Sequence, residues 1–285
     1  MPYNRYHPAV HMLIATFFFA LMNVSIKLVP HIPAFEIILF RSVVSLAASY
    51  VMIRNRGLNP LGNNRWFLLL RGFFGMISLT AFFFTIQKMP LASAVTLQYL
   101  SPIFTVLFAV FFLKEKVHPI QWLCFSVAFA GVAIIRGFDA RLELPYLLLG
   151  ILSAMFSGLA YNSVRKLRDT DHPLVVVFYF PLVAFPFSLV YCLFTWVTPT
   201  GWEWLWLLLI GVFTQIAQVN LTHALQNEKL AAISGLNYLG ILYALFFGYA
   251  FFGETYDWIV LVGIFLVLTG VLLNFFLKAG ENTKT

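Results

Sequence analysis

The sequence predicts an all-α integral membrane protein of ten transmembrane helices, arranged as two inverted five-helix repeats. Three observations carry that expectation. Of 285 residues, 61% are hydrophobic and only 10% charged, with a mean hydropathy of +0.87. A soluble domain carries about 25% charged residues, so lipid must be the solvent for most of this surface. The apolar residues fall in runs close to the roughly 20 needed to cross a bilayer. One of these runs, LASAVTLQYLSPIFTVLFAVFFLKEK (Leu91–Lys116), is answered by a second, LAAISGLNYLGILYALFFGYAFFGET (Leu230–Thr255).

Taken in order, the spans are expected at 8–29, 34–53, 66–87, 92–113, 120–137, 146–167, 173–197, 202–226, 231–252 and 258–277. The connections VPHIP, RNRGLNPLGNNR, QKMP, KEKVHP, RDTDHP and VTPTG are short and rich in Pro, Gly, Asn or charge, the residues that stop helices. No soluble domain fits between them. The first run lacks a small-residue cleavage site after a short apolar core, so it reads as a retained span rather than a signal peptide.

Orientation follows from Lys and Arg. With the N-terminus in the cytoplasm, Arg5, Arg54, Arg56, Arg65, Lys114, Lys116, Arg165, Lys166, Arg168, Lys229, Lys278 and Lys284 lie inside. Only Lys27, Lys88, Arg136 and Arg141 lie outside. The expectation is a multi-pass protein of the cytoplasmic (inner) membrane with both termini cytoplasmic. The net charge of +7 thus belongs to loops; no basic stripe or aromatic platform suggests nucleic acid. Cys124 and Cys192 sit in apolar runs and form no metal-ligand pattern.

The repeat runs at a constant offset of 139. Leu91 matches Leu230, Tyr99 matches Tyr238, Leu100 matches Leu239 and Glu115 matches Glu254. Asn23 matches Asn162, Lys27 matches Lys166, Gly72 matches Gly211, Gln87 matches Gln226 and Gly131 matches Gly270. The halves are expected at 1–140 and 141–285. Five helices per half is an odd number, so the second half enters the membrane from the opposite side. Two inverted halves that exchange shapes give alternating access to a central site.

The ten short helices, the duplicated unit, the paired segments with a glutamate near the end and the FEIILFRS stretch resemble the drug/metabolite transporter superfamily, EamA type. The resemblance covers essentially the whole chain. RG-x-x-G (Arg71, Gly72, Gly75) and QYLSP are similar to a branch with carriers of S-adenosylmethionine, riboflavin or organic anions. The resemblance implies a central cavity lined by spans 1, 3, 4, 6, 8 and 9. It also implies dimer contacts or an outer wall from spans 5 and 10, and no nucleotide or metal cofactor. The sequence agrees on the last point, having no GxxxxGK[ST] motif.

Polar groups within spans are costly and mark candidate sites. Glu36 and Arg41 lie about 140° apart on a helix and cannot face one another squarely. Arg41 either holds an anionic group or ties a neighbouring helix. Glu36, near the outer end, either snorkels or serves gating or proton coupling. Arg71, about one and a half turns into span 3, either snorkels to the cytoplasm or faces the cavity mouth. Gln98 with Tyr99, and Asn237 with Tyr238, hold equivalent places and offer amide and phenol to a polar metabolite; the alternative is inter-helix packing. Pro102 removes the bond to the Gln98 carbonyl and is expected to kink span 4. In GVFTQIAQVNLTHALQ, Gln215, Gln218 and Thr222 share one face, with Asn220 and His223 to its other side. They suggest a wet wall, with His223 able to take up a proton. Asn23 and Asn162 either bind substrate or join helices. Trp66, Trp202 and Trp258 read as interfacial belt residues. Gly131, Gly263, Gly270 and the glycines of GFFG read as close packing.

The expected function is secondary transport of a small polar metabolite: amino-acid-like, S-adenosylmethionine-like, riboflavin-like or an organic anion. A lipid or lipid-linked flippase on the same scaffold is the alternative, and a sideways groove lined by Phe would favour it. An enzyme is disfavoured, because no carboxylate pair or nucleophile with a base lies at membrane depth. The expected partners are the substrate, the bilayer and a possible second copy of the chain.

Overall fold

The computed structural model describes residues 8–113, 119–226, 236 and 238–281. These are all helix and connection, with no strand among them. The helices are α1 (Pro8–Lys27), α2 (Ala34–Asn55), α3 (Arg65–Lys88), α4 (Leu91–Gln98), α5 (Ser101–Leu113), α6 (Pro119–Phe138), α7 (Leu144–Lys166), α8 (Pro173–Thr195), α9 (Glu203–Gln226), α10 (Leu239–Phe252) and α11 (Trp258–Glu281). Proline sets many starts: Pro33 and Pro90 cap α2 and α4, and Pro145 and Pro173 occupy the first turns of α7 and α8. Among the described residues eight stretches are long and apolar enough to cross a membrane, with two shorter apolar helices at the C-terminal end.

Span 4 is two helices rather than one kinked helix. Pro102 has no N–H and would crowd the Gln98 carbonyl. The chain therefore turns at Tyr99–Leu100, where Tyr99 (φ −72°, ψ −1°) ends α4. Tyr238 precedes α10 with nearly the same backbone (φ −73°, ψ −9°), although Ile241 stands there in place of proline.

Bonds between connections show which helix ends lie together. Lys27 at the end of α1 meets Glu254 after α10 and the Met89 carbonyl after α3 (2.8 Å). Arg141 before α7 reaches the Thr255 carbonyl (3.0 Å), and His31 pairs with Glu203 (2.7 Å). These ends form one face, here the distal face. At the other, the N-face, the Asn63 N–H donates to Asp171 (2.6 Å) and the Tyr179 hydroxyl to the Leu61 carbonyl (2.8 Å). The described spans therefore cross alternately.

The most extensive helix pairs among the described residues are α1–α9, α3–α7, α2–α8, α6–α11, α2–α9, α3–α8, α5–α7, α1–α10 and α4–α10. In span numbers these are 1–8, 3–6, 2–7, 5–10, 2–8, 3–7, 4–6, 1–9 and 4–9. Exchanging the halves, so that span 1 becomes 6 and 6 becomes 1, returns the same set.

α6 and α11 approach closely through glycine. A Cβ on Gly131 would lie 2.6 Å from the Gly263 carbonyl oxygen, and one on Gly270 2.5 Å from that of Cys124. Gln121 and Asn274 add a hydrogen bond between them (3.1 Å). Without a hydrophobic drive in lipid, such backbone proximity holds helices together. Trp66, Trp202 and Trp258, at helix starts, are 67%, 77% and 73% exposed, as belt residues should be.

Gly270→Ala should lower the melting temperature, since its Cβ meets rigid backbone and overpacking costs about 1–3 kcal/mol. Gly137→Ala, on the same α6 but with open space around it, should leave stability unchanged or raise it. Thermal unfolding in detergent checks both, and equal effects would remove the α6–α11 contact as the cause.

Candidate functional site

The centre of the molecule holds two arginines. Arg41 of α2 is 1% exposed and Arg71 of α3 is 4% exposed. Their guanidiniums lie over the same ring, that of Phe180 on α8, at 4.5 Å and 5.4 Å from its centroid. Arg41 Nε donates to the Thr214 hydroxyl (3.1 Å), and Arg71 Nη2 reaches Gln218 Oε1 at 3.5 Å. Thr214 is midway along α9, roughly 17 Å from either end at 1.5 Å per residue. Arg41 Nη1 and Arg71 Nε have no hydrogen-bond partner among the described residues. Neither arginine forms an ion pair with a described acid.

The local sequence explains how Arg71 lies inside. A Cβ at Gly75 would sit 2.3 Å from Arg71 Nη1 and 2.7 Å from the Phe180 ring, so the bare helix face makes room for both. At Gly72 a Cβ would sit 2.8 Å from the Tyr179 carbonyl oxygen, so that glycine brings α8 close. Of the two readings of Arg71, snorkelling gives way to an inward path along Gly75. Glu36 does not snorkel either. It is fully buried, accepts from the Val197 N–H (3.0 Å) and ties α2 to the chain after α8.

The two tyrosines of the repeat meet. Tyr99 and Tyr238 have ring centroids 5.2 Å apart, and the Tyr99 hydroxyl occupies the space a side chain at Gly240 would need. Tyr161 of α7 lies within electrostatic reach of Arg71 and of Tyr99.

The other sequence candidates lie elsewhere or are engaged. Gln98 donates to the Ser157 hydroxyl (2.6 Å) and accepts from that of Ser153 (2.7 Å). Ser78 completes this knot between α3, α4 and α7. Both ends of the Gln98 amide are thereby used, which is the packing role. Asn162 donates to the Thr105 carbonyl (3.0 Å) and Gln215 to the Ser49 hydroxyl (2.8 Å), both joining helices. Asn23 is buried with its Oδ1 unpartnered among the described residues. Asn237 lies outside the described residues. His223 is not alone: its ring is 5.6 Å from His11 and 6.3 Å from His172, in a corner near the N-face. Asn220 accepts there from His11 (2.6 Å), if the imidazole carries its proton on Nδ1. Thr214, Phe180 and Tyr161 were missed: one threonine and one tyrosine in long apolar helices, and one of 32 phenylalanines, carry no sequence signal.

At the distal face a network closes the bundle. Glu254 pairs with Lys27, accepts from the Leu91 N–H (2.8 Å) and accepts from the Tyr256 hydroxyl (2.8 Å). Gly253 at φ +61° ends α10 in the left-handed region, where glycine is favoured, and turns Glu254 back over Gly248. Burial and the adjacent Glu254 raise the Tyr256 pKa, which keeps its hydroxyl a neutral donor. The hydrogen bond to Asp139 raises the Arg141 guanidinium further, so Arg141 stays charged near neutral pH.

Replacing Gly75 by Ala should displace Arg71 and Phe180 together. Ligand affinity is expected to fall about tenfold or more, since charged hydrogen bonds depend on placement. A ligand titration by thermal shift would detect this; unchanged affinity would show that Arg71 tolerates another path.

Comparison with known proteins agrees with this architecture. The model of the EamA-like transporter family matches twice, at residues 8–137 and 144–276. The pseudopaline exporter CntI of Pseudomonas aeruginosa is 32% identical, over 91% of this chain and 93% of the relative. The S-adenosylmethionine uptake transporter of Rickettsia felis is 26% identical, over 84% and 82%. Human solute carrier family 35 member G1 is 26% identical, over 90% and 75%. A crystal structure of a protein 19% identical superposes with a TM-score of 0.69, over 97% of this chain and 99% of that one, and shares its fold. The chain belongs to the EamA-like transporter family.

Proposed function

We propose that the chain is a secondary transporter that moves a small polar metabolite across the cytoplasmic membrane by alternating access. Its halves, 1–140 and 141–285, act as an inverted repeat with both termini in the cytoplasm. Small-molecule transport is the activity of the family and of the relatives above. The observation that carries the mechanism is the distal network around Glu254. It joins the end of span 1 to spans 4 and 9 across the two halves, with Lys27 15% and Glu254 8% exposed. Lys166, the repeat equivalent of Lys27, is exposed at the N-face. In this reading the structure is closed outside, and the helix pairing that survives exchange of the halves supports a second state closed inside. Glu36 braces the same outer end and is assigned to gating. His223, with His11 and His172, is the candidate for proton coupling at the inner end.

A second reading has one observation in its favour. A cavity of about 630 Å³ opens between α2, α3 and α8, lined by Phe35, Met76, Phe187, Val190, Tyr191 and Phe194. It is the apolar sideways groove that an acyl chain would enter. It carries no charged group for a head group, so soluble transport is the stronger reading.

Glu254→Gln should weaken the outer seal, because removing one member of a buried pair costs about 3–5 kcal/mol. With Cys124 and Cys192 replaced by Ala, a cysteine at Tyr99 should be protected from an impermeant external thiol reagent and become labelled once Glu254→Gln is added. Equal labelling in both would remove the network from gating. Reconstituted protein should also exchange a bound metabolite across liposomes; lipid scrambling without such exchange would favour the flippase.

A further inference from the structure

Two like charges lie over one ring inside the bundle, with no ion pair to an acid among the described residues. A single charge at the centre of a spanning helix already costs about 2.5–3.5 kcal/mol on insertion scales. Here two guanidiniums face one phenylalanine ring, separated by no more than the sum of their distances from its centroid. Each repels the other. The buried acids among the described residues are bonded elsewhere: Glu36 to the Val197 N–H, Asp139 to Arg141, Asp171 to the Asn63 N–H and Glu254 to Lys27.

A purely structural role fits these arginines poorly. A guanidinium has five N–H donors. A helix tie would cap them with carbonyls, as Lys27 caps the Met89 carbonyl. Arg41 instead makes one bond to a hydroxyl, and Arg71 makes one long bond to an amide. On each side chain a fully buried nitrogen lacks a partner among the described residues. The Phe180 ring lies against both guanidiniums, and the bare Gly75 leaves room for Arg71 beside it. This is a rigid, water-poor surface of positive charge with donors unused.

We infer that Arg41 and Arg71, braced by Phe180, form an anion site at mid-bilayer, and that the transported solute carries carboxylate or phosphate oxygens. The inference rests on the transporter reading and narrows it: cations and uncharged metabolites are disfavoured as substrates. Arg41, through Nη1, and Arg71, through Nε, each offer an N–H to an anion oxygen. Phe180 is a positioning residue, since it acts through the arginines.

The test is a thermal-shift screen of the purified full chain. One arm holds mono-, di- and tricarboxylates and acidic amino acids, and a second holds inorganic phosphate and phosphomonoesters. A third holds choline, putrescine and riboflavin. Native-state ligands raise the melting temperature by mass action. A shift in the first or second arm is expected, and which of them responds names the anion. Arg41→Gln and Arg71→Gln should each weaken that shift about tenfold or more, while their ligand-free melting temperatures stay equal or rise, because an unpaired buried charge is gone. Arginines that merely tie helices would instead give variants that melt lower without ligand and bind the anion as before. A response from the third arm alone overturns the anion site and leaves the transporter reading intact. Silence from every soluble arm, with a shift from lipid, overturns both. Should either variant fail to fold, the parent protein decides: anions must stabilise it and choline, putrescine and riboflavin must not.

Discussion

The buried charge of Arg41 and Arg71 is the constraint around which the centre of this molecule is arranged. Lipid cannot solvate a guanidinium, so the protein must do so. It does so with the face of Phe180, the hydroxyl of Thr214 and the amide of Gln218. Those groups come from α8 and α9, in the second half, while the arginines come from α2 and α3, in the first. The arginines therefore sit where the halves meet, and every conformational state must supply them with polar partners.

Close backbone packing makes that arrangement possible. Gly72 and Gly75 let α8 approach α3 near Arg71, and Gly211 lets Val44 of α2 approach α9. Gly72 and Gly211 are equivalents in the repeat, so the same device serves both sides of the arginine pair. Packing in lipid rests on such proximity rather than on hydrophobic exclusion. The contacts are consequently sensitive to single atoms, as the sub-3 Å approach of an added Cβ at each glycine shows.

Much of the fold was legible because the bilayer imposes a length and a composition. The starts at Pro8, Ala34, Pro173 and Trp258 fall where the apolar runs begin. The break in span 4 was only half legible: Pro102 announced a disturbance, but separation into α4 and α5 also needs the turn at Tyr99 and Leu100. The equivalent turn at Tyr238 had no proline to announce it. In the site, Arg41 stood out as a charge in an apolar run. The inward path of Arg71 was not readable from its depth, because depth alone points to snorkelling and the room beside Gly75 exists only once α8 is in place. The sequence left Gln98 between substrate contact and packing, because Ser153 and Ser157, the partners that decide it, lie more than fifty residues away.

The same geometry bears on how the two ends of the molecule communicate. Tyr99 and Tyr238 stand at turns in the spans that lead to the two repeat-equivalent glutamates, Glu115 and Glu254. A turn within a span lets its two segments move separately, because no continuous hydrogen-bond ladder joins them. In span 4 the turn lets α5 move while α4 stays pinned to α7 through Gln98 and its serines. Tyr161 links that pair electrostatically to Arg71. An anion at the arginines would remove the repulsion between them and change what the tyrosines face. That would couple occupancy of the arginines to the tyrosine pair at the turns of spans 4 and 9.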